Sequence, residues 1–232
     1  MIPTWSSNGT LMQRVVTIDG PAGAGKSTVA RLLAERLGWR LLDTGAMYRA
    51  VTLAALRAGT DLTSDRDLTA LAERTEVRLP TGKVLLDGED VTPLIRSVEI
   101  TRAARYLADS PGVRRRLVAW QRAFAAENDV VAEGRDQGTI VFPDALSKFF
   151  VTASEEQRAA RRLAELLRRG EDVTFEQVLQ DQRVRDRGDE SRHIAPMKPA
   201  PDATVIDTTD LSVDEVVEEL ARRVRAAVGS PG

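Results

Sequence analysis

The chain has 232 residues, 42% of them hydrophobic, and a formal net charge of −2. It contains no cysteine and a single histidine, His193, which excludes disulfides, thiolate metal sites, cysteine nucleophiles and histidine-based triads. The nearly balanced charge gives no overall attraction to nucleic acid or to a membrane surface. Residues 1–13 lack the apolar block of a signal peptide, so we expect a disordered extension and a cytoplasmic protein.

The predicted elements alternate between strands and helices from the start. Residues 15–18 form an apolar strand, and after a glycine-rich segment residues 27–38 show helical apolar spacing with a closing glycine. Residues 39–59 predict a short strand, a turn and a helix. Residues 64–74 predict another helix, with Ser64 as a possible N-cap.

Residues 75–93 interrupt this pattern, because period-two alternation and two turn signals predict a small inserted antiparallel sheet. The remaining predicted elements are helices at 97–110, 112–128, 154–169, 174–187 and 212–228, and strands at 130–133, 147–153 and 203–207. Strands that alternate with helices predict an α/β fold with a doubly wound parallel sheet. The length suits a single domain with insertions.

The segment 20-GPAGAGKS-27 matches G-x-x-x-x-G-K-[ST] between a predicted strand and a predicted helix. Its glycines let the backbone N–H groups approach phosphate oxygens, and the helix N-terminus adds partial positive charge. Lys26 is expected to reach the β- and γ-phosphates, and Ser27 to bind Mg²⁺. The predicted ATP-binding residues are Gly20, Pro21, Ala22, Gly23, Ala24, Gly25, Lys26, Ser27 and Thr28. The motif predicts ATP or GTP binding but does not identify the phosphoryl acceptor.

Several classes of protein bind a nucleoside triphosphate through such a loop. A GTPase would carry the guanine-reading N-K-x-D, which this sequence lacks. A small-molecule kinase needs a second pocket for a polar or phosphorylated acceptor. The strand at 130–133 ends in Gly-Arg-Asp, and burying Arg135 and Asp136 at a strand end is costly unless they are paired. The pair is either a structural ion pair or part of an acceptor site.

Four segments resemble bacterial cytidylate kinases in residues, order and spacing: 19-DGPAGAGKST-28, 43-DTGAMYRA-50, 134-GRDQGTIVFPDA-145 and 185-RDRGDESRHIAP-196. The resemblance covers about residues 13–228 and extends to the predicted sheet insert. It implies an ATP- and Mg²⁺-dependent kinase for CMP and dCMP that acts as a monomer. It also implies one P-loop kinase domain over 14–228, with a core at 14–43 and 129–228, an acceptor-binding segment at about 44–128 and a lid at about 154–170.

The resemblance implies a base-reading set. In the family, the residues that match Arg114 and Asp136 contact the base, and Thr44 stands where relatives carry serine or threonine beside it. Cytosine offers an amino donor at N4 and acceptors at N3 and O2, so a carboxylate and a guanidinium complement it. Arg115 and Arg116 are expected at the surface.

The resemblance also implies a phosphate-binding set. Arginines that match Arg49, Arg135 and Arg192 surround the acceptor phosphate in the family, and a pair that matches Arg185 and Asp189 lies near the sugar. Each has a structural alternative, because Arg49 could be a solvated helix residue and Arg185 with Asp189 could form an i,i+4 helical salt bridge.

Three further arginines belong to the predicted lid, Arg158, Arg161 and Arg162, and any of them could point toward the transferred phosphoryl group. The predicted catalytic residues are Lys26, Arg135, Arg192 and Arg161. Asp19 and Glu133 are possible outer partners of the magnesium ion, and His193 is expected to be partly solvated without a chemical role.

Two positions depart from the family pattern. Arg105 stands where relatives usually carry a serine that helps to read the base, so the arginine either swings out to solvent or rearranges the base contacts. Gln137 stands where relatives carry an apolar residue, and its amide needs partners if buried. Alternatives are a P-loop kinase with another acceptor, such as UMP or a non-nucleotide metabolite, and a non-catalytic ATP-binding module.

Overall fold

A computed structural model describes residues 14–229, and the extension expected at 1–13 lies outside the described residues. The strands are β1 (Val15–Asp19), β2 (Arg40–Asp43), β3 (Val77–Arg78), β4 (Leu85–Leu86), β5 (Glu89–Asp90), β6 (Val130–Glu133), β7 (Ser147–Thr152) and β8 (Thr204–Asp207). The helices are α1 (Lys26–Leu37), α2 (Thr44–Arg57), α3 (Asp65–Arg74), α4 (Val98–Asp109), α5 (Pro111–Ala126), α6 (Glu155–Arg168), α7 (Phe175–Glu190) and α8 (Val213–Gly229).

The main sheet has five parallel strands in the order β2-β6-β1-β7-β8. Helices α1 and α8 pack on one face around Val16, Ile18 and Phe149, and helices α2, α3 and α5 pack on the other around Leu42 and Ala132. The predicted doubly wound sheet is therefore confirmed. Because all five strands run the same way, their carboxyl ends meet at one edge, where ligands bind in such sheets.

The predicted insert is a three-stranded antiparallel sheet in the order β3-β4-β5. Its apolar side chains, among them Val84, Leu86 and Val91, pack against Ala50 of α2 and Ile100 of α4. The insert thus has its own small core and builds out the segment between α3 and α4. Within the described residues, no helix is long and apolar enough to cross a membrane.

Two boundaries differ from those predicted. No turn separates β2 from α2, because Asp43 ends the strand and caps the helix by accepting from the Ala46 N–H at 2.7 Å. Helix α7 runs to Glu190 rather than to residue 187, since Gly188 continues the helix without positive φ. The extension places Asp189 in the last turn of α7.

We expect Gly20→Ala to destabilise the fold by more than about 3 kcal/mol, because a Cβ here would overlap the backbone carbonyl oxygen of Val151 and the residue has φ +137°. Gly38→Ala is the matched control, since Gly38 also has positive φ but open space around it, and it should cost about 1 kcal/mol. Thermal unfolding of both variants measures the difference, and equal losses would contradict the close approach of the loop to β7.

Candidate active site

The loop between β1 and α1 wraps around the side chain of Lys26. Gly20, Gly23 and Gly25 all have positive φ, which their lack of a Cβ permits. The ammonium of Lys26 is buried, donates to the carbonyl oxygen of Pro21 at 2.6 Å and lies 4.0 Å from Oε1 of Glu133. The structure therefore places one buried cation inside a loop of the shape that the motif predicts for phosphate binding.

Burial and, next, the nearby positive charge of Arg135 together lower the pKa of Lys26 to about 7, against the opposing effect of Glu133. The charge of Arg185 acts in the same direction as that of Arg135. Lys26 is therefore close to the arginines at the end of β6 and on α7. A bound polyphosphate would stabilise the protonated form.

We expect ADP affinity to weaken about tenfold between pH 7 and pH 8.5, because Lys26 loses its proton over this range and only the ammonium attracts phosphate. Calorimetry at pH 8 in buffers of different ionisation enthalpy should show that protons are taken up when ADP binds. The phosphates of the nucleotide do not contribute at this pH, because their pKa is about 6. Proton uptake that persists in Lys26→Met would contradict the assignment to this side chain.

The acidic residues beside the loop are already engaged. Asp19 accepts hydrogen bonds from the N–H groups of Gln137 at 2.9 Å and Gly138 at 2.7 Å. Burial nevertheless raises the pKa of Asp19 to about 6. Glu133 faces Lys26, so neither carboxylate is a free metal ligand, and Asp19 instead fixes the turn after β6.

The residues present fit a magnesium ion that arrives with ATP. Within residues 14–229 no group of three acidic or histidine side chains could hold a metal ion on its own. Ser27 is exposed in the first turn of α1, where its hydroxyl would supply one ligand and phosphates and water the others.

Arg135 and Asp136 do not pair with each other. The Nε of Arg135 donates to Oδ2 of Asp189 at 2.9 Å, whereas Asp136 forms a buried ion pair with Arg114. Adjacent residues at the end of β6 thus point to different partners on α7 and α5. The structural ion pair considered from sequence is absent, and the turn divides its two charges between two sub-sites.

The first sub-site is built around the Arg114–Asp136 pair. The guanidinium of Arg114 also reaches the hydroxyl of Tyr48 at 3.5 Å, and burial raises the pKa of Tyr48 to about 12. The hydroxyl of Thr44 donates to the carbonyl oxygen of Glu133 at 2.7 Å, which holds the start of α2 against the end of β6. A carboxylate, a guanidinium and a phenol hydroxyl are therefore in contact beside the end of β6, with Thr44 one turn before Tyr48 on α2.

The second sub-site is a cluster of cations around Asp189. Arg192 donates through Nη2 to Oδ1 of Asp189 at 2.7 Å, opposite the contact from Arg135, and through Nε to Oδ1 of Asp109 at 2.9 Å. The two arginines are thus held side by side by one carboxylate, although they are 57 residues apart in sequence. Arg185 lies near them but makes no ion pair with Asp189 within the described residues, so the i,i+4 salt bridge considered as the structural alternative does not form.

The environment of Arg185 is unusual for an arginine. Its side chain is exposed, yet desolvation by the surrounding protein and, next, the charge of Arg135 lower the pKa of Arg185 to about 10. A guanidinium in surroundings that disfavour its charge is prepared to bind an anion.

Arg49 completes the group from α2. Its Nη2 lies 3.6 Å from Oδ2 of Asp43, and its Nη1 would lie 3.0 Å from a Cβ at Gly45, so the side chain folds back over the helix N-terminus. Its Nε is buried and has no hydrogen-bond partner among the described residues. Arg49 is therefore not a solvated helix residue, and it retains an unused donor.

The three lid arginines have different environments. Arg162 pairs with Glu165 of its own helix at 2.7 Å. Arg161 donates to the backbone oxygen of Thr208 at 2.6 Å, and its Nη1 would lie 3.9 Å from a Cβ at Gly25. Arg158 is buried and contacts the phosphate loop itself.

The two departures from the family pattern have different outcomes. Arg105 is exposed, stacks on the ring of Tyr106 at 4.8 Å and donates to its hydroxyl at 3.0 Å, so it points to solvent. Gln137 is buried, its Nε2 lies 3.4 Å from Oδ1 of Asp136, and its Oε1 has no partner in the described part of the chain. Arg115 is exposed, whereas Arg116 is partly buried and lies over the ring of Trp120 at 4.5 Å. His193 is exposed.

Sequence reasoning missed three residues of the site. Tyr48 adjoins Arg49 inside a motif already singled out, so its position in that motif was an available signal. Asp109 and Asp186 reach their arginine partners over 83 and 28 residues. Asp186 adjoins Arg185 in a segment already singled out, whereas no local pattern marks Asp109.

The fold and the site together define a P-loop kinase, because a phosphate loop with a buried lysine faces a second cluster of cations suited to a phosphorylated acceptor. The chain belongs to the cytidylate kinase family, whose model, described as cytidylate kinase, matches residues 16–226.

Relatives named cytidylate kinase match most of the chain. One from Pelotomaculum thermopropionicum is 50% identical over 216 residues, covering 91% of this chain and 96% of the relative. One from Aeromonas hydrophila is 49% identical over 210 residues, covering 89% and 91% respectively. One from Pseudomonas syringae is 46% identical over 216 residues, covering 90% and 94%.

Among solved structures, an uncharacterized protein from Eubacterium ventriosum aligns with a TM-score of 0.52 at 13% identity, covering 92% of this chain and 99% of that one. At this identity the likeness shows the fold alone.

Proposed function

We propose that the protein transfers the γ-phosphoryl group of MgATP to the 5′-phosphate of CMP or dCMP, giving ADP and CDP or dCDP. The observation that carries the proposal is the adjacency of two cationic sites. The buried ammonium of Lys26 lies in the donor loop, 4.0 Å from Oε1 of Glu133, and Arg135 follows Glu133 by two residues at the end of the neighbouring strand β6. Two phosphorylated ligands bound to these sites would meet at the carboxyl edge of the sheet.

The chemistry requires no general base. An oxygen of the acceptor's 5′-phosphate attacks the γ-phosphorus, the bond from that phosphorus to the β–γ bridging oxygen breaks, and ADP leaves with the electron pair. The acceptor oxygen is already anionic, so the protein's contribution is positioning and charge neutralisation. Lys26 and Arg161 serve the donor. Arg135, Arg192 and Arg49 serve the acceptor phosphate. A magnesium ion bound with ATP and held by the Ser27 hydroxyl would supply further neutralisation of the phosphate charge.

The Arg114–Asp136 pair supports cytosine as the base. The carboxylate accepts from the N4 amino group, and the guanidinium donates to N3 and O2. Uracil would turn its O4 toward the carboxylate and its N3–H toward the guanidinium, and buried mismatches of this kind discriminate strongly. Thr44 and Tyr48 lie on α2 beside this pair and would border the base, and Arg185 with Asp189 is assigned to the sugar.

ADP formation from MgATP should depend on an added acceptor, with CMP and dCMP far more effective than UMP, AMP, GMP or shikimate. A coupled assay with each acceptor in turn measures this preference. A strong preference for AMP would overturn the assignment. ADP formation that does not depend on an added acceptor would point to hydrolysis, and no ADP formation with any acceptor would point to a non-catalytic ATP-binding role.

We further propose that the protein works as a monomer on free nucleotides in the cytoplasm. Residues 44–128 would act as the acceptor-binding segment and residues 154–170 as a lid, closing over both nucleotides to exclude water as a competing acceptor. Light scattering across a range of concentrations tests the oligomeric state.

A further inference from the structure

The carbonyl oxygen of Ala22, in the middle of the phosphate loop, accepts hydrogen bonds from two buried side chains outside the loop. Arg158 of α6 donates to it from Nη1 at 3.1 Å, and Gln182 of α7 donates from Nε2 at 3.4 Å. The guanidinium of Arg158 is itself fixed by the carbonyl oxygen of Ala153 at 3.1 Å and by a buried ion pair with Asp186.

This arrangement sets the orientation of one peptide unit. A trans peptide is planar, and its C=O and N–H point in opposite directions. Holding the Ala22 carbonyl toward α6 and α7 therefore turns the Gly23 N–H away from them, toward the inside of the loop. The Gly23 N–H has no hydrogen-bond partner in the described part of the chain, so it is available to a phosphate oxygen.

The packing around Gly23 is close. A Cβ at Gly23 would lie 2.5 Å from Nε2 of Gln182 and 3.0 Å from the carbonyl oxygen of Arg158. The loop is therefore in direct contact with α6 and α7 at the Ala22–Gly23 peptide. If the Arg158 side chain moved away, this peptide would be free to change its orientation.

We propose that Arg158, oriented by Asp186 and assisted by Gln182, is a positioning residue for the phosphate loop rather than a lid arginine that touches the transferred phosphoryl group. The proposal rests on the proposed function in so far as the loop binds ATP. Arg158 acts through the Ala22–Gly23 peptide on every nucleotide that carries a β-phosphate, ADP included. An arginine that touches only the transferred phosphoryl group would not affect ADP binding.

The decisive measurement is ADP affinity, by calorimetry without acceptor, for Arg158→Lys and Asp186→Asn. Arg158→Lys keeps the charge but loses the guanidinium's several fixed donors, and Asp186→Asn keeps the shape but loses the ion pair. Both should weaken ADP binding about tenfold and raise the KM for ATP in parallel, with the Kd of CMP within about twofold of wild type. Arg168→Lys, an exposed arginine later in α6, is the matched control and should change nothing.

Two results would overturn the proposal. Unchanged ADP affinity with a kcat lowered about 100-fold would assign Arg158 to the transferred phosphoryl group. A lowered melting temperature with unchanged ADP and CMP affinities would reduce it to a structural residue. If Arg158→Lys does not fold, Asp186→Asn carries the same test. A wild-type protein that binds ADP but shows no CMP-dependent ADP formation would refute the proposed function and leave this test intact.

Discussion

Asp136→Ala should lower kcat/KM for CMP by a factor on the order of 10² to 10³, because the base loses its acceptor and Arg114 loses its buried partner. ADP affinity should stay near that of the wild type, since the donor loop is held by other residues. Steady-state kinetics with CMP, together with calorimetry with ADP, separate the two effects. Asp144→Ala removes an exposed aspartate from the segment that follows and should leave both values unchanged.

The free energy of unfolding of Asp136→Ala should be measured as well, because leaving the buried Arg114 without its partner lowers stability by about 3 kcal/mol or more. Asp136→Asn preserves the volume and offers an amide donor, so it should also shift the preference from CMP toward UMP, whose O4 is an acceptor. If Asp136→Ala phosphorylated CMP as efficiently as the wild type, Asp136 would not read the base.

Lys26→Met should lower kcat by a factor of about 10³, because the buried ammonium of the donor loop stabilises the negative charge that develops on the phosphates in the transition state. ADP binding should weaken as well, whereas the Kd of CMP should stay within about twofold. The two variants therefore have opposite effects on binding: Asp136→Ala leaves ADP affinity unchanged, and Lys26→Met leaves CMP affinity unchanged.

Lys198→Met is the matched control, since Lys198 is exposed. Single-turnover kinetics distinguish a slower chemical step from slower product release. A kcat for Lys26→Met close to that of the wild type would show that the loop binds nucleotide without acting on the transferred group.

Much of the fold could be predicted because its signals are local. The alternation of strands and helices and the period-two pattern of the insert each lie within a few consecutive residues. At the two boundaries that differ, Thr44 and Glu190, a residue type typical of turns or helix ends occurs without a break in the regular structure. Asp43 both ends β2 and caps α2, and Gly188 lies within α7 instead of ending it.

The site was predictable to the extent that its residues occupy strand ends. Lys26 and Arg135 follow β1 and β6, which are adjacent in the sheet, so their convergence follows from parallel topology. The direction of each side chain was not predictable. Arg158 and Arg162 belong to the same helical segment, yet one is buried against the phosphate loop and the other pairs within its own helix.

The sequence by itself determined the phosphate loop, the strand that delivers Arg135 and Asp136, and the alternation of strands and helices, because each depends on residue type and short-range spacing. Only the tertiary structure decided the partners. Asp189 could pair with Arg185 one helical turn away, but Arg135, 54 residues distant, and Arg192 hold its two oxygens instead. Helical spacing brings side chains within reach of each other, whereas the packing of α7 against the end of β6 decides which cation takes the carboxylate.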